Sequence, residues 1–328
     1  MNIRARAIAA WLCAAVACLG FATTAQSAGY PEKPIRLVVG FPAGGGADYV
    51  ARQVAKNLSE LLGQGVLVEN KPGANGIIAA TDVARAPADG YTLLLGVTAT
   101  QSINPALYSK LPYDPLRDFT PITEVGFTPL VLVVNPKLPV RTVPEFIAYV
   151  KQNEGSLSFA SAGNGNITHM AAELFIQSTG IQKLQHVPYK GSSQAITDLM
   201  GGQVTAYFDT LPSSMPFITS GQLRALGVSG GERSAAVPQV PTIQEAGVAG
   251  YEATAWFGLF GPAKMPAEVT NKLYQALRTS FAGTEAKQQM ASRGIELVVD
   301  EPAHFGQMLK EDVARWKNVT TKAGITLE

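Results

Sequence analysis

The chain has 328 residues, of which 46% are hydrophobic and 16% are charged, and its formal net charge at pH 7 is +1. This composition is typical of a folded globular protein with enough residues for two domains that each have a core. A net charge this close to zero provides no basic surface for nucleic acid, so we do not expect nucleic-acid binding.

The first 28 residues have the pattern of a secretory signal peptide. Arg4 and Arg6 precede an apolar run over 7–21, and small and polar residues follow. The apolar run is shorter than the roughly 20 residues that span a membrane, and the three-part order is that of a signal peptide. We expect cleavage near residues 25–28 and a periplasmic mature protein; an uncleaved anchor is the alternative.

Both cysteines of the chain lie inside this segment. They are Cys13 and Cys18, so the mature chain is expected to have neither a disulfide nor a thiol nucleophile, although a lipid-modified Cys18 is a further alternative. Removal of the segment also removes Arg4 and Arg6 and no acidic residue. The mature chain then has 24 Lys and Arg against 25 Asp and Glu, a net charge of about −1.

Strand and helix patterns alternate along the first third of the chain. Continuous apolar runs at 35–41, 66–69 and 91–97 predict buried strands. Apolar residues spaced three and four apart predict helices at about 50–62 and 77–86. This alternation predicts an α/β fold with a parallel sheet that is covered on both faces.

The same pattern continues to the end of the chain. Further strands are predicted at 128–136, 157–166 (where the strand runs into a glycine loop), 203–210, 223–229 and 253–262. Further helices are predicted at 143–153, 167–180, 192–200, 266–281 and 302–323. We interpret the strands at 128–136 and 253–262 as two crossings between domains. One domain is then discontinuous, 29–127 plus 252–328, and the inserted domain is 128–251.

The glycine cluster at 44–46 lies between the first strand and the first helix. The absence of a following lysine argues against a nucleotide-binding P-loop, and Tyr49 stands where the dinucleotide fingerprint requires glycine. The remaining possibility is a turn in which unpaired helix amides hold a small anion. A purely structural turn with Asp48 as the helix cap stays open as the alternative.

A second loop repeats this layout in the other half of the chain. Gly163 and Gly165 separate a strand from a helix that Asn166 or Thr168 is expected to cap. His169 follows in the first turn, and an interior histidine bonded to the backbone is favoured over a catalytic or metal-binding one. The other two histidines have no spacing that would form a metal-ligand set with it.

A third loop contains Tyr189, Lys190 and Gly191 between a strand and a helix that Ser192 and Ser193 are expected to cap. Lys190 either pairs with a carboxylate or faces solvent. Because ligands of open α/β sheets bind beyond the carboxyl ends of the strands, the three loops are expected to share one crevice between domains.

The sequence gives little support for catalysis. It contains no Gly-x-Ser-x-Gly motif and no evident Ser/His/Asp arrangement. An enzyme that uses His169 and Asp209 is the remaining catalytic hypothesis, and a protein that is not an enzyme is favoured over it.

Seven segments in a fixed order identify a family. They are YPEKPIRLVVGFPAGGGAD, VENKPGANGIIAATDVARAPADGYTLL, INPALYSKLPYDPLRDFTPI, SAGNGNITHMAAELF, HVPYKGSSQAITDLMGGQV, VPTIQEAGVAGYE and FGLFGPAKMP. With these segments the chain closely resembles the Bug family, the extracytoplasmic solute-binding receptors of tripartite tricarboxylate transport systems. The resemblance covers essentially the whole mature chain.

This resemblance implies a two-domain periplasmic binding protein of type II, the Venus flytrap fold, with one domain discontinuous. It implies a small carboxylate-bearing ligand that is held largely by backbone amides and water. We expect a monomer without a cofactor or metal. The implied partners are the membrane permease subunits of a transporter. A sensor kinase of a two-component system is the alternative partner.

The resemblance also implies where the ligand-binding residues lie. They are Phe41, Ala43, Gly44 and Gly45 in the first loop, Thr98 and Gln101 at the closure of the pocket, Ser161, Ala162, Gly163, Gly165, Thr168 and His169 in the second loop, and Tyr189, Lys190, Gly191 and Asp209 at the far wall. Gln101 stands where the family often has histidine. The resemblance therefore does not identify the ligand.

Overall fold

The computed structural model describes residues 29–323 and residue 326. The predicted signal peptide, residues 1–28, lies outside the described residues. Among the helices that are described, none combines the length and the apolar character needed to cross a membrane.

Strands and helices alternate through most of this range. The strands are β1 (Ile35–Val39), β2 (Val66–Asn70), β3 (Thr92–Val97), β4 (Phe119–Val134), β5 (Ser158–Ser161), β6 (Gln185–Pro188), β7 (Ala206–Thr210), β8 (Arg224–Val228), β9 (Thr254–Pro262) and β10 (Glu296–Leu297). The helices are α1 (Gly46–Leu62), α2 (Ile77–Ala84), α3 (Asn104–Leu107), α4 (Val143–Gln152), α5 (Ile167–Thr179), α6 (Ser192–Gly201), α7 (Leu211–Thr219), α8 (Ala267–Phe281), α9 (Thr284–Ala291) and α10 (Pro302–Ala323).

The sheet is mixed rather than wholly parallel. Its strand order is β2-β1-β3-β9-β4-β7-β5-β6, and β8 and β10 also pair with β4. β1 is parallel to β2 and β3, and β5 is parallel to β6 and β7. β9 runs antiparallel to both β3 and β4. The parallel strands predicted from the alternating pattern are therefore present at both ends, and antiparallel strands connect them.

β4 connects the two ends of the sheet. From Phe119 to Pro129 it pairs with β9, whereas from Leu130 to Val134 it pairs with β7 and β8. We call the part built on β1, β2, β3, β9 and β10 the first lobe, and the part built on β5 to β8 the second lobe. The prediction that this strand begins at 128 was wrong, because polar residues and a proline interrupt the apolar run in its first half.

Ser229 links the two crossings between the lobes. Its hydroxyl accepts a hydrogen bond from Leu130 N–H at 2.7 Å and donates to the Ala253 carbonyl. Ala253 N–H donates in return to the Ser229 carbonyl at 3.0 Å. The domain boundaries at 127/128 and 251/252 stay a prediction.

Each lobe has its own hydrophobic core. In the first lobe α1 packs Val50, Val54 and Leu58 against the sheet. Leu61, which continues the same apolar spacing along the helix, is instead 47% exposed. A cluster of aromatic residues fills the second lobe: Phe146, Phe159, Phe175, Phe208 and Tyr251. Helix α10 joins the two lobes, since Phe305 packs in a first-lobe cluster and Trp316 in the second-lobe core.

Sequence reasoning missed several elements, among them α7, α9 and a π-helical turn. α7 contains Pro212 and Pro216, which argue against a helix, yet Pro212 lies in the first turn, where the missing N–H has no helical partner to lose. α9 has a single buried residue, Met290, so it lacks an apolar period. A π-helical turn at Ala99–Ile103 follows β3, and its residues are all buried.

Candidate ligand-binding site

A cleft with about 500 Å³ of space, part of it open to solvent, lies between the two lobes. It is lined by Phe41, Pro42, Gly45, Gly46, Ala47, Val97, Thr98, Ala162, Asn166, Ile167, Thr168, Gly191, Ser192, Thr210, Ala255 and Phe257. These residues follow or end strands β1, β3, β5, β6 and β7, or lie on β9. The cleft is thus at the carboxyl ends of the parallel strands, as the position of the loops predicted.

Four helices begin at the wall of this cleft. The N-cap residues of α1, α5, α6 and α7 are Gly45, Asn166, Gly191 and Thr210, and all four line the cleft. Asn166 caps its helix through its side chain, which accepts from Thr168 N–H at 3.1 Å, whereas the other three make no side-chain cap. First-turn amides have no partner inside their helix, so these helix ends offer N–H donors and positive dipole ends to the cleft.

The lining contains no Lys, Arg or His within the described chain. Four hydroxyl side chains supply further polar groups: Thr98, Thr168, Ser192 and Thr210. The remaining surface is largely apolar and comes from Phe41, Val97, Ile167, Ala255 and Phe257. Such a site suits a small anion with an apolar body, because amides and helix ends attract an anion without a countercharge.

Asp48 fixes the first loop from behind. Its carboxylate accepts from Gly44 N–H at 3.0 Å, from Arg52 Nε at 2.9 Å and from Asn70 Nδ2 at 3.0 Å. Burial alone would raise the pKa of Asp48, but these hydrogen bonds outweigh it and hold the pKa below its ordinary value. Asp48 is therefore an ionised anchor inside α1 and not its N-cap, which is Gly45.

Two histidines brace the second loop. His169 Nδ1 accepts from Gly165 N–H at 3.1 Å, and His186 Nε2 lies 2.6 Å from Ser161 Oγ. The Ser161 hydroxyl also donates to the Gly163 carbonyl at 3.1 Å. His169 thus has the backbone-bonded interior position that the sequence favoured, and it does not line the cleft.

Asp209 lies fully buried behind the far wall. Ser192 Oγ donates to its Oδ1 at 2.8 Å, and Ser214 Oγ donates to its Oδ2 at 2.7 Å. Burial raises the pKa of Asp209 to about 6, although the hydroxyl donors oppose this rise. Asp209 therefore holds the first turns of α6 and α7 together. Gly191, rather than the predicted Ser192 or Ser193, is the N-cap of α6.

The structure brings six of the sixteen predicted site residues to the cleft wall: Phe41, Gly45, Thr98, Ala162, Thr168 and Gly191. The other ten are outside the lining: Ala43, Gly44, Gln101, Ser161, Gly163, Gly165, His169, Tyr189, Lys190 and Asp209. Tyr189 donates its hydroxyl to Asp198 at 2.7 Å, and Lys190 is exposed. Gln101 is fully buried against Gly96, where a Cβ would lie 3.0 Å from Gln101 Cγ.

Ten lining residues were missed: Pro42, Gly46, Ala47, Val97, Asn166, Ile167, Ser192, Thr210, Ala255 and Phe257. For several of them a signal was available. The sequence indicates Asn166 and Ser192 as helix caps, and a residue at a helix N-terminus that faces a cleft is also in reach of the ligand. Ala255 and Phe257 carry no local signal, since the pairing of β9 with β3 brings them to the site.

The two lobes touch across the cleft. Ser193 Oγ of the second lobe donates to the Ala43 carbonyl of the first at 3.2 Å. Gly46 lies so near the second lobe that a Cβ on it would be 2.7 Å from Thr210 Oγ1. We call this arrangement, in which the two lobes are in direct contact beside the cleft, the closed arrangement.

Two lobes joined by paired crossings, with an anion-suited cleft between them, define the class of two-domain α/β solute-binding receptors. A model of the Tripartite tricarboxylate transporter family receptor matches residues 50–325, and the chain belongs to this family. It is 35% identical to Protein BugT of Bordetella pertussis over 314 residues, which cover 95% of this chain and 96% of that protein.

Solved structures of the same family have this fold. An R. palustris protein with adipate is 35% identical, with a TM-score of 0.88 over 90% of this chain and 99% of that one. MatC from Rhodopseudomonas palustris with bound malate is 32% identical, with a TM-score of 0.83 over 88% of this chain and 99% of that one. The predicted fold class and the family resemblance are both confirmed.

Proposed function

We propose that this chain is an extracytoplasmic receptor that captures a small carboxylate-bearing organic solute in the interlobe cleft. The observation that carries the proposal is the convergence of four helix N-termini on a cleft that the described part of the chain lines without a cationic side chain. A carboxylate is stabilised there by backbone amides. The relatives solved with adipate and malate hold ligands of the same chemical class.

A ligand screen tests the ligand class. A compound that binds only the native state raises the melting temperature. The melting temperature of the protein is therefore measured with the carboxylates adipate, malate and hexanoate, and with hexanediamine and adipamide for comparison. At least one carboxylate should raise the melting temperature in a concentration-dependent way. A rise with the amine or the amide alone would refute the carboxylate proposal.

Gly45→Val tests the place of binding. Gly45 has a φ of −86°, and a Cβ added to it would have no atom closer than 3.9 Å apart from its chain neighbours, so valine fits the backbone but enters the cleft. We expect affinity for a carboxylate that binds the native protein to fall by at least about tenfold, or about 1.4 kcal/mol. Gly65→Val is the matched control, since Gly65 is an exposed glycine with open space around it. Unchanged affinity in Gly45→Val would remove this loop from the site.

We propose further that the receptor is exported to the periplasm by a cleaved signal peptide and acts as a monomer that delivers its ligand to permease subunits. N-terminal sequencing of the exported protein tests the cleavage near residues 25–28. Uptake of a labelled carboxylate by cells with and without the receptor gene tests delivery. A sensor kinase would be favoured as the partner if cells without the receptor gene took up the carboxylate normally but lost their transcriptional response to it.

Ligand binding is proposed to close the lobes about the two crossings, with the domains divided as 29–127 plus 252–328 and 128–251. The change of strand partners between Pro129 and Leu130, and the links through Ser229, support a hinge there. Small-angle scattering should show a smaller radius of gyration with a bound carboxylate. An unchanged radius would argue against hinge closure.

A receptor function also predicts that His169 is dispensable for chemistry. Its Nδ1 is occupied by Gly165 N–H. His169→Gln should leave ligand binding nearly intact. Turnover of a bound carboxylate by the native protein, lost in this variant, would support an enzyme instead.

A further inference from the structure

Three asparagine side chains form a continuous series of hydrogen bonds between the two lobes. Asn75 lies at its centre, in the turn between β2 and α2, with a φ of 50° and a ψ of 39°. This left-handed conformation favours glycine and is uncommon for other residues. An outlier of this kind persists where surrounding interactions hold it, and here the side chain of Asn75 makes them.

The bonds of this series run in one direction. Asn166 Nδ2 donates to Asn75 Oδ1 at 3.1 Å, and Asn75 Nδ2 donates to Asn104 Oδ1 at 2.8 Å. Asn104 Nδ2 donates to the Asn75 carbonyl at 3.2 Å. At the other end, Asn166 Oδ1 accepts from Thr168 N–H at 3.1 Å.

The direction of all three amides is fixed by backbone groups at the two ends. Thr168 N–H can only donate, and the Asn75 carbonyl can only accept. A single assignment of oxygen and nitrogen in the three side chains therefore satisfies every contact. Reversing any one amide would place two acceptors or two donors against each other, so the members of the series are coupled.

One end of this hydrogen-bonded series is buried at Asn104, and the other end lies at the ligand cleft. Asn104 is fully buried, and its Nδ2 also lies 3.4 Å from Tyr113 Oη, which donates to the Thr100 carbonyl at 2.5 Å. Asn166 is the N-cap of α5 and lines the cleft. The Asn75–Asn166 bond is thus a direct link between the lobes at the helix end that faces the ligand.

We propose that Asn75 is a positioning residue that latches α5 to the first lobe, favours the closed arrangement and slows ligand release. This inference rests on the cleft being the ligand site proposed above. Its chemistry is independent of the ligand, because both ends of the latch belong to the protein.

Two substitutions break the latch in different ways. Asn166→Asp keeps the helix cap, since aspartate is an equally good N-cap, but turns an acceptor toward Asn75 Oδ1. Asn75→Gly removes the side chain and retains a residue suited to the left-handed turn. Ala74→Gly is the matched control. Ala74 is exposed and has a φ of 46°, and its side chain takes no part in the series of asparagine hydrogen bonds.

The lobe distance is measured without any ligand. Spin labels are attached to Lys56→Cys on α1 and Lys183→Cys on the second lobe, both exposed, in a mature chain that has no other cysteine. The distance between the two labels distinguishes molecules with the lobes close together from molecules with the lobes apart. The ratio of the first population to the second should fall about threefold to tenfold in Asn75→Gly and Asn166→Asp, as expected for one lost hydrogen bond. The double variant should fall no further than the single ones, because both remove the same bond.

The latch proposal would be overturned if both variants gave the same distribution of label distances as native protein and Ala74→Gly. With adipate as the probe, Asn75→Gly, which lies outside the cleft lining, should also release ligand about threefold to tenfold faster with little change in association. An unchanged release rate would equally overturn it. If adipate, malate and hexanoate all fail to bind native protein, that result counts against the proposed ligand class, whereas the ligand-free distances still decide the latch.

Discussion

The imidazole rings of His169 and His186 stack in parallel with their centroids 3.9 Å apart. Phe159 lies nearly parallel to both rings, at centroid distances of 4.9 Å from His186 and 6.2 Å from His169. Through Gly165 N–H and Ser161 Oγ, this stack holds the loop in front of α5. Burial within this stack disfavours the charged form of His186.

This stack predicts a loss of stability in acid. Burial, followed by the neighbouring His169, lowers the pKa of His186 from 6.5 to about 4. The unfolded chain then binds the proton at higher pH than the folded one, so the unfolding free energy falls as the pH drops from about 6.5 to about 4. His186→Phe keeps an aromatic ring and removes the proton site, so its stability should fall less across this interval. Urea unfolding at each pH gives the unfolding free energy of native protein and of His186→Phe as a function of pH. An equal decrease in both proteins between pH 6.5 and pH 4 would contradict the prediction.

Gly46→Ala should block closure without harming the fold. Gly46 is the first residue of α1, and alanine is a better helix former than glycine. The added Cβ would lie 2.7 Å from Thr210 Oγ1 in the opposite lobe. We expect an unchanged or slightly higher melting temperature and an affinity for the bound carboxylate reduced by about tenfold or more, about 1.4 kcal/mol.

The cause can be separated from a general disturbance of the loop. Thr210→Ala removes the oxygen that the new Cβ meets, so Gly46→Ala combined with Thr210→Ala should recover part of the affinity. Calorimetry on the two single variants and the double variant gives the coupling energy. A double variant no better than Gly46→Ala would rule out the interlobe clash as the reason.

Local sequence patterns predict the elements with regular apolar faces, such as α1 and β3, and the glycine loops that follow strands. They do not predict where a polar side chain in such a loop points. His169 and Asp209 both face away from the cleft, because each has a stronger set of partners behind it. Phe257 reaches the cleft through the pairing of β9 with β3, a contact between distant parts of the chain that no local pattern contains.

Asp48→Ala should weaken both the fold and ligand binding. The substitution removes the side-chain acceptor of Gly44 N–H and one of the two acceptors of Asn70 Nδ2, which keeps its bond to the Phe41 carbonyl, in addition to the lost pair with Arg52. Three net hydrogen bonds of roughly 1 kcal/mol each predict a loss of about 3 kcal/mol in unfolding free energy. Affinity should fall as well, since the loop that presents the α1 amides is no longer fixed.

Arg52→Ala is the control for this prediction. The Arg52 side chain is 55% exposed, and an exposed ion pair contributes at most about 1 kcal/mol. Denaturant unfolding of the two variants should therefore differ by about 2 kcal/mol or more. An Arg52→Ala loss as large as that of Asp48→Ala would assign the effect to the ion pair instead of the loop.

Glu124 predicts a second effect of pH, opposite in sign to that of His186. It lies on β4 with 8% of its surface exposed. Burial, then the carboxylates of Asp300 and Asp312, raise its pKa from 4.5 to about 7, while His304 opposes them. The folded chain therefore holds this proton more tightly than the unfolded chain, and its stability falls as the pH rises from about 4.5 to about 7.

Glu124→Gln mimics the protonated side chain at every pH. The variant should match native protein near pH 4.5 and exceed it increasingly up to pH 8, by at most about 3 kcal/mol in unfolding free energy. Urea unfolding at half-unit steps of pH measures the difference between the two proteins, so titration of other groups cancels. A difference that is constant across this range, or that favours native protein at pH 8, would contradict the prediction. Because α10 carries Asp312 and packs on both lobes, the difference also shows how tightly this helix is held against β4 once Glu124 is ionised.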